Sequence, residues 1–311
     1  MSLLSCLNTL VWSEVTMMES RMTRNCHVRF GERYEETHQS QDWKVRFVPT
    51  LFSPLLANIA LHGIERMLEE YVETLKMRED KYPHRTLSKA RKIQTLAFVR
   101  YADDFVVIHK NLEVIQKCRE VISQWLNDIG LELKPSKTRI AHTLVPEQSE
   151  DGKVGFDFLG YYIRQYPSGR HKSARNGAGQ ILGFNTLITP SKQSLVKHKE
   201  SIKKTIKKHK YASQIDLIND LNPIIRGWCN YFSFSDAKTT RDFSRQDHMV
   251  FQKLRAWGRH RCKGLKTAYE KYFRKIGGRN WVFAVKEGNA NPLRLLSHGL
   301  VELLSNKPCE S

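Results

Sequence analysis

Two adjacent carboxylates, Asp103 and Asp104, stand in the run Val99-Arg-Tyr-Ala-Asp-Asp-Phe-Val-Val-Ile. Paired anions between apolar stretches are costly unless a cation neutralises them. Hard carboxylate oxygens suit Mg²⁺, and in phosphoryl transfer carboxylates from neighbouring strands hold metal ions that stabilise the attacking and leaving oxygens. The bland alternative is an ordinary turn, where Asp is common, but the strand-like runs on both sides favour metal binding. A second set interleaves cations with aromatics: Arg226-Gly-Trp228-Cys-Asn-Tyr231-Phe, Arg255-Ala-Trp257-Gly-Arg259-His-Arg261-Cys-Lys263 and Tyr272-Phe-Arg274-Lys275. Such interleaving places phosphate contacts beside surfaces on which bases stack. Taken singly, Trp228, Trp257 and Trp281 suit the core of a helical bundle slightly better than a base-stacking surface.

The elements that must position these residues follow from periodicity. Leu55, Leu56, Ile59, Ile64, Met67 and Leu68 recur at helical spacing opposite Glu65, Glu69 and Glu70, predicting an amphipathic helix from Pro54. Residues 78–92 read as a loop; Thr95–Tyr101 and Phe105–His109 read as two strands separated by Ala102, Asp103 and Asp104. Leu112, Ile115, Ile122 and Leu126 predict a helix ending near Gly130, Leu131–Leu133 a strand, and Phe156–Arg164 a pair of short strands. The glycine-rich, basic stretch 171–190 reads as a linker, and everything after Pro190 as helical. In the helix Ser194–Lys210, Leu195, Ile202 and Ile206 share one face while Lys203, Lys204, Lys207 and Lys208 lie mostly on the other. Residues 1–47 show no sustained period and read as a poorly ordered leader.

Charge points to a polyanionic partner. The 311 residues carry 51 Lys and Arg against 32 Asp and Glu, a formal net charge of +19. Residues 190–311 hold 25 basic and 10 acidic side chains, too large a surplus for solubility alone. Nucleic acid is preferred to an anionic membrane, because no helix pairs a basic face with a clean aromatic face. The six cysteines show no CxxC or Cys/His ligand spacing, which argues against a zinc ribbon or a disulfide scaffold and for a reducing compartment. No targeting signal or membrane-length apolar run is present, so a cytoplasmic or organellar setting without a membrane partner is expected.

These pieces resemble the reverse transcriptase and maturase proteins encoded by group II introns, over about residues 53–285. Ser53-Pro-Leu-Leu-Ala-Asn-Ile-Ala-Leu-His resembles the helix-opening motif behind the templating site, and Phe98–Ile108 the polymerase hairpin. Gly130-Leu-Glu-Leu-Lys-Pro-Ser-Lys-Thr-Arg-Ile is similar to the following palm motif, and Gly155-Phe-Asp-Phe-Leu-Gly-Tyr-Tyr-Ile to the primer-gripping segment. Leu221-Asn-Pro-Ile-Ile-Arg-Gly-Trp-Cys-Asn-Tyr-Phe resembles the maturase-specific signature. The resemblance implies an α+β fold, a partial right-hand palm of antiparallel sheet and helices followed by an α-helical maturase or thumb domain. It further implies Asp103 and Asp104 as Mg²⁺ ligands for RNA-directed DNA synthesis, Lys137 near the incoming triphosphate, and Leu159 and Gly160 at the primer grip. Group II intron RNA and a DNA primer or target are the implied partners, in splicing and mobility.

The departures define the alternative. The family's third catalytic aspartate has no match here, since Asp42 is the only aspartate before Asp80 and lies too close to Ser53. Pro49-Thr-Leu-Phe replaces the proline, glutamine and paired glycines that let the backbone approach the template. No C-terminal HNH nuclease motif with paired cysteines follows. The expected organisation is an unrelated leader over 1–47, a partial palm over 48–170, a linker over 171–190, a basic helical region over 191–285 and a tail over 286–311. A truncated palm lacking fingers predicts weak or absent polymerase activity unless an N-terminal fragment acts in trans. Catalytically inactive RNA binding is the alternative function, and a degenerate, non-functional remnant the bland one.

Overall fold

The computed structural model describes residues 8–12, 15–17, 56–78, 84–169, 171–175, 179–285 and 292–299. Asp42, Pro49–Phe52, Ser53–Leu55, most of the expected leader and the tail beyond residue 299 lie outside the described residues. The chain divides into two compact units, residues 1–159 with 164–186, and residues 160–163 with 187–311.

The first unit is built on a four-stranded antiparallel sheet. Its strands are β1 (Asn8–Trp12), β3 (Ala97–Tyr101), β4 (Asp104–His109) and β6 (Arg139–His142), in the order β3-β4-β1-β6. β1 pairs with β4 from Asn8↔His109 to Trp12↔Phe105, and with β6 from Asn8↔His142 to Val11↔Arg139. Part of the expected leader is therefore a central strand of the sheet that carries the carboxylates. The Thr9-Leu-Val-Trp run is strand-forming, but it is too short for periodicity to distinguish from a helical fragment. The place between β4 and β6 is thus occupied by a strand of the same chain. A second short strand from the same region, β2 (Val15–Met17), pairs with β5 (Leu131–Leu133).

Two helices, α1 (Ile64–Thr74) and α3 (Leu112–Asp128), pack on this sheet, with the short α2 (Lys89–Ile93) before β3. Phe105 and Val107 alternate along β4 and join Leu61, Ile64, Leu68, Ile115, Ile122 and Leu126 in one buried cluster. Asn111 caps α3 by accepting from the Glu113 amide at 2.9 Å, and the helix closes at Gly130 with φ +76°. The predicted helix from Pro54 is interrupted by Gly63 at φ +100°, a left-handed geometry that glycine adopts readily.

A three-stranded sheet joins β7 (Phe156–Phe158), β8 (Tyr161–Pro167) and β9 (Phe184–Pro190). β9 falls within the stretch read as a linker, because the β-branched run Thr186-Leu-Ile-Thr outweighs the glycines before it.

The second unit contains α4 (Lys192–Lys208), α5 (Gln214–Tyr231), α6 (Asp242–Arg261) and α7 (Leu265–Tyr272). Ile202, Leu217, Leu221, Val250, Leu254, Trp257, Tyr272 and Phe283 form its core. Contrary to the all-helical expectation, β10 (Phe273–Ile276) and β11 (Arg279–Val285) form a hairpin, and β12 (Leu293–Arg294) adds to it. Its turn is Gly277-Gly278 at φ +56° and +75°, the geometry that a two-residue hairpin demands. No described helix is long and apolar enough to cross a membrane.

Candidate functional site

The carboxylates sit at a tight turn. Tyr101 pairs with Asp104, so only Ala102 and Asp103 make the bend, and Asp104 already belongs to β4. Ala102 holds φ +53°, a left-handed conformation that costs a non-glycine residue about 1–2 kcal/mol. Both aspartates are half-buried. Arg100 Nη1 donates to the Ala102 carbonyl at 3.3 Å and to Asn58 Oδ1 at 2.9 Å, so Asn58 is tied to the bend by a cation.

Lys137 lies in the turn before β6, its amide donating to the Lys134 carbonyl at 3.0 Å. β6 runs parallel to β4 with β1 between them, and Arg139 and Val106 both face Val11. Lys137 thus enters at the carboxylate end of the sheet, roughly 10 Å away across two strand spacings. Among the described residues, no three His, Cys, Asp or Glu side chains group closely enough to hold a metal ion. Asp103 and Asp104, the residues expected to hold Mg²⁺, are neighbours at this turn, and Mg²⁺ commonly takes one or two carboxylates and completes its shell with water and phosphate oxygens.

Leu159 and Gly160 turn β7 into β8, both at positive φ, +49° and +78°. The Gly160 carbonyl accepts from the Ser191 amide at 2.8 Å and Ser194 Oγ at 2.9 Å. A Cβ on Gly160 would lie 2.8 Å from Ser194 Oγ, so the start of α4 requires glycine here.

Cations concentrate on α4 and α6. Lys203, Lys204, Lys207 and Lys208 are exposed, with Lys208 paired to Asp220 at 3.3 Å. One cleft of about 320 Å³ is lined by Lys203, Ile206, Lys207 and Lys210 from the α4 side and Lys253, Ala256, Trp257 and His260 from α6. A neighbouring cleft of about 390 Å³ shares Ala256 and His260 and adds Gln252, Arg255, Arg259 and Leu265. No carboxylate lines either. Lys210, Lys253 and His260 are absent from the sequence-derived set. Their signal is a stripe at i, i+3, i+4, i+7 that both segments repeat, Lys-x-x-Ile-Lys-x-x-Lys and Lys-x-x-Ala-Trp-x-x-His.

Other expected RNA-contacting residues have different surroundings. The Trp228 ring stacks on His198 at 4.5 Å and packs against Phe232 and Phe243, which places it in an aromatic cluster. Arg261 lies over Trp257 at 4.4 Å and donates to the carbonyls of Lys210, Tyr211 and Ala212, holding the α4–α5 loop. Arg274 is committed to the end of α7 through the Glu270, Lys271 and Phe273 carbonyls. Tyr231 is half exposed and stacks on Tyr161 at 5.3 Å, while Arg226, Lys263 and Lys275 are exposed.

A buried polar chain, unanticipated because its members are scattered, pins residues 297–298. Asp247 accepts from His298 Nδ1 at 2.6 Å and from the His298 amide at 2.7 Å. His298 Nε2 lies 2.8 Å from His198 Nε2, which places the donated proton on His198. Burial, reinforced by His298, pushes the His198 pKa down to about 3. Burial would raise the Asp247 carboxyl, but hydrogen bonds from His298 and Ser297 outweigh it and leave it below the ordinary carboxylate value.

Residues 13–163 match the reverse transcriptase (RNA-dependent DNA polymerase) family, and residues 195–275 match the group II intron maturase-specific domain. The first match reaches back into the stretch expected to be an unrelated leader. Among curated proteins, the chain is 27% identical over 240 residues to group II intron-encoded protein LtrA of Lactococcus lactis subsp. cremoris, covering 60% of this chain and 39% of LtrA. It is 30% identical over 128 residues to protein YkfC of Escherichia coli (strain K12), covering 36% of this chain and 30% of YkfC. It is 26% identical over 233 residues to an uncharacterized 91 kDa protein in the cob intron of Schizosaccharomyces pombe, covering 60% and 27%. The chain spans about two-fifths or less of the length of these relatives.

Proposed function

We propose that this chain, a relative of the group II intron-encoded reverse transcriptase/maturases in both of its units, binds intron RNA through the basic α4–α6 face and thereby assists splicing and mobility. The carrying observation is the pair of carboxylate-free, cation-lined clefts within the stretch matched by the maturase-specific family. Phosphates would meet Lys203, Lys204, Lys207, Lys210, Lys253, Arg255 and Arg259, while Arg261 and Arg274 hold the scaffold. Each phosphate neutralised releases condensed counterions, so affinity should fall steeply with salt. Titration of a group II intron RNA against the full chain at several salt concentrations tests this. Undiminished binding by a variant with Lys203, Lys207, Lys253 and Arg259 all changed to Gln would overturn the reading.

For the palm, we propose Asp103 and Asp104 as Mg²⁺ ligands, with the metal supplying charge neutralisation at a transferring phosphate. Lys137 would add positive charge from two strands away, and Leu159 and Gly160 would shape the path of a DNA primer. Asn8-Thr-Leu-Val-Trp, the strand between β4 and β6, brings no carboxylate, which favours weak or absent polymerisation by this chain. Primer extension on an RNA template with Mg²⁺ decides it: robust extension that Asp103→Ala abolishes would refute the inactive reading.

A further inference from the structure

The cleft between α4 and α6 is more than a basic surface. Its lining comes from two stripes at the same spacing, Lys203, Ile206, Lys207, Lys210 and Lys253, Ala256, Trp257, His260, in which Ile206, Ala256 and Trp257 supply an apolar floor among lysines. A surface meant only for duplex phosphates needs cations on a convex or flat face and gains nothing from an apolar floor. Here the floor is built and braced. Trp257 is 5% exposed and donates from Nε1 to the His209 carbonyl at 2.9 Å, and the Arg261 guanidinium covers its ring. Arg261 in turn is fixed by three loop carbonyls, so the floor is set before any ligand arrives. Ala256 is the smallest side chain in the lining and leaves the space open at the middle of the stripe. A volume of about 320 Å³ lies in the range of preformed small-molecule sites and accommodates a nucleobase.

We propose that this cleft takes one unpaired nucleobase of a bound RNA strand, its base against Ile206, Ala256 and Trp257 and its flanking phosphates on the lysines at the two ends. The inference rests on the RNA-binding reading and adds to it a preference for unpaired RNA. From Lys203 on α4 to Lys210, two residues past its end, the chain spans about 10 Å, room for phosphates on both sides of the inserted base. The absence of carboxylates from the lining opposes a cationic protein segment as occupant.

The test uses the full chain and a short single-stranded RNA carrying one 2-aminopurine, whose fluorescence reports stacking and burial. The expected result is a change in that fluorescence on binding, and a loss of about tenfold or more in affinity when one base of the strand is replaced by an abasic linker, the order that removal of a stacked base produces. Ala256→Phe, which fills the floor at an exposed helix position, should cause a similar loss without changing the salt slope. Lys207→Gln should lower the slope by about one ion. Equal affinity for the abasic and intact strands, or for a fully paired duplex, would overturn the proposal while leaving RNA binding in place. No binding of any RNA by the unaltered chain would remove the RNA-binding reading itself.

Discussion

Acid should destabilise the second unit through one histidine, by an amount that the structure fixes. His198 titrates normally near 6.5 when unfolded but is held neutral down to about 3 in the folded chain, by burial against Trp228 and His298. A depressed histidine pKa means that the unfolded state binds the proton first, so stability is full above the unfolded value and is lost as pH falls below it. At about pH 5 the unfolded chain has gained a proton that the native chain refuses, which costs about 2 kcal/mol relative to about pH 7.5. Asp247 also loses stabilisation in acid, but only below its ordinary value of 3.8, outside this window. His109 and His142 are likewise depressed by burial, in the first unit, so the unaltered chain alone does not isolate His198. The assay is urea unfolding at both pH values for the chain and for His198→Gln, whose amide can still donate to His298. Between the two pH values the unaltered chain should lose about 2 kcal/mol more than the variant. Equal losses would mean that His198 is protonated in the native state and that the proton assignment along the Asp247–His298–His198 chain is wrong.

Other perturbations have equally definite outcomes. Gly160→Ala places a Cβ at φ +78° and 2.8 Å from Ser194 Oγ, and should lower stability by about 1–3 kcal/mol in thermal unfolding. Trp257→Ala should cost about 3–5 kcal/mol, since its ring packs against Tyr272 and Phe283 in the core, and RNA affinity should fall with it. Leu10→Pro removes an amide from a strand paired on both sides, so amide exchange in β4 and β6 should accelerate while that of α4–α7 stays unchanged. Asp247→Asn should release residues 297–298, read as faster amide exchange at His298.

The sequence made the carboxylate hairpin, α1, α3 and the basic character of the second unit legible, because each rests on a local signal: alternation, helical spacing, a closing glycine or a charge surplus. The parts it hid depend on distance. Nothing in Asn8–Trp12 announces partners at Phe105–His109 and Arg139–His142. Burial of His298 likewise depends on Asp247 and His198, far apart in the chain. The Gly277-Gly278 hairpin was a different kind of miss, since the paired glycines and the Trp281-Val-Phe-Ala-Val run are local turn and strand signals overshadowed by the helices before them. At the clefts, counting cations marks the basic face of α4 and α6. It does not separate lysines that line the clefts from arginines spent on backbone carbonyls, a distinction that only packing makes.

The position of β1 also governs how the palm sheet assembles in time. It is an early segment of the chain, yet it lies between two strands made long after it, and Asn8 pairs with both His109 and His142. Until those strands exist, both edges of β1 expose unpaired backbone groups. Closing such long loops before any pairing rewards them makes for slow folding and a lengthy exposure of strand edges. The four-stranded sheet is thus complete, and the carboxylates have their full setting, only when the chain has been made through β6.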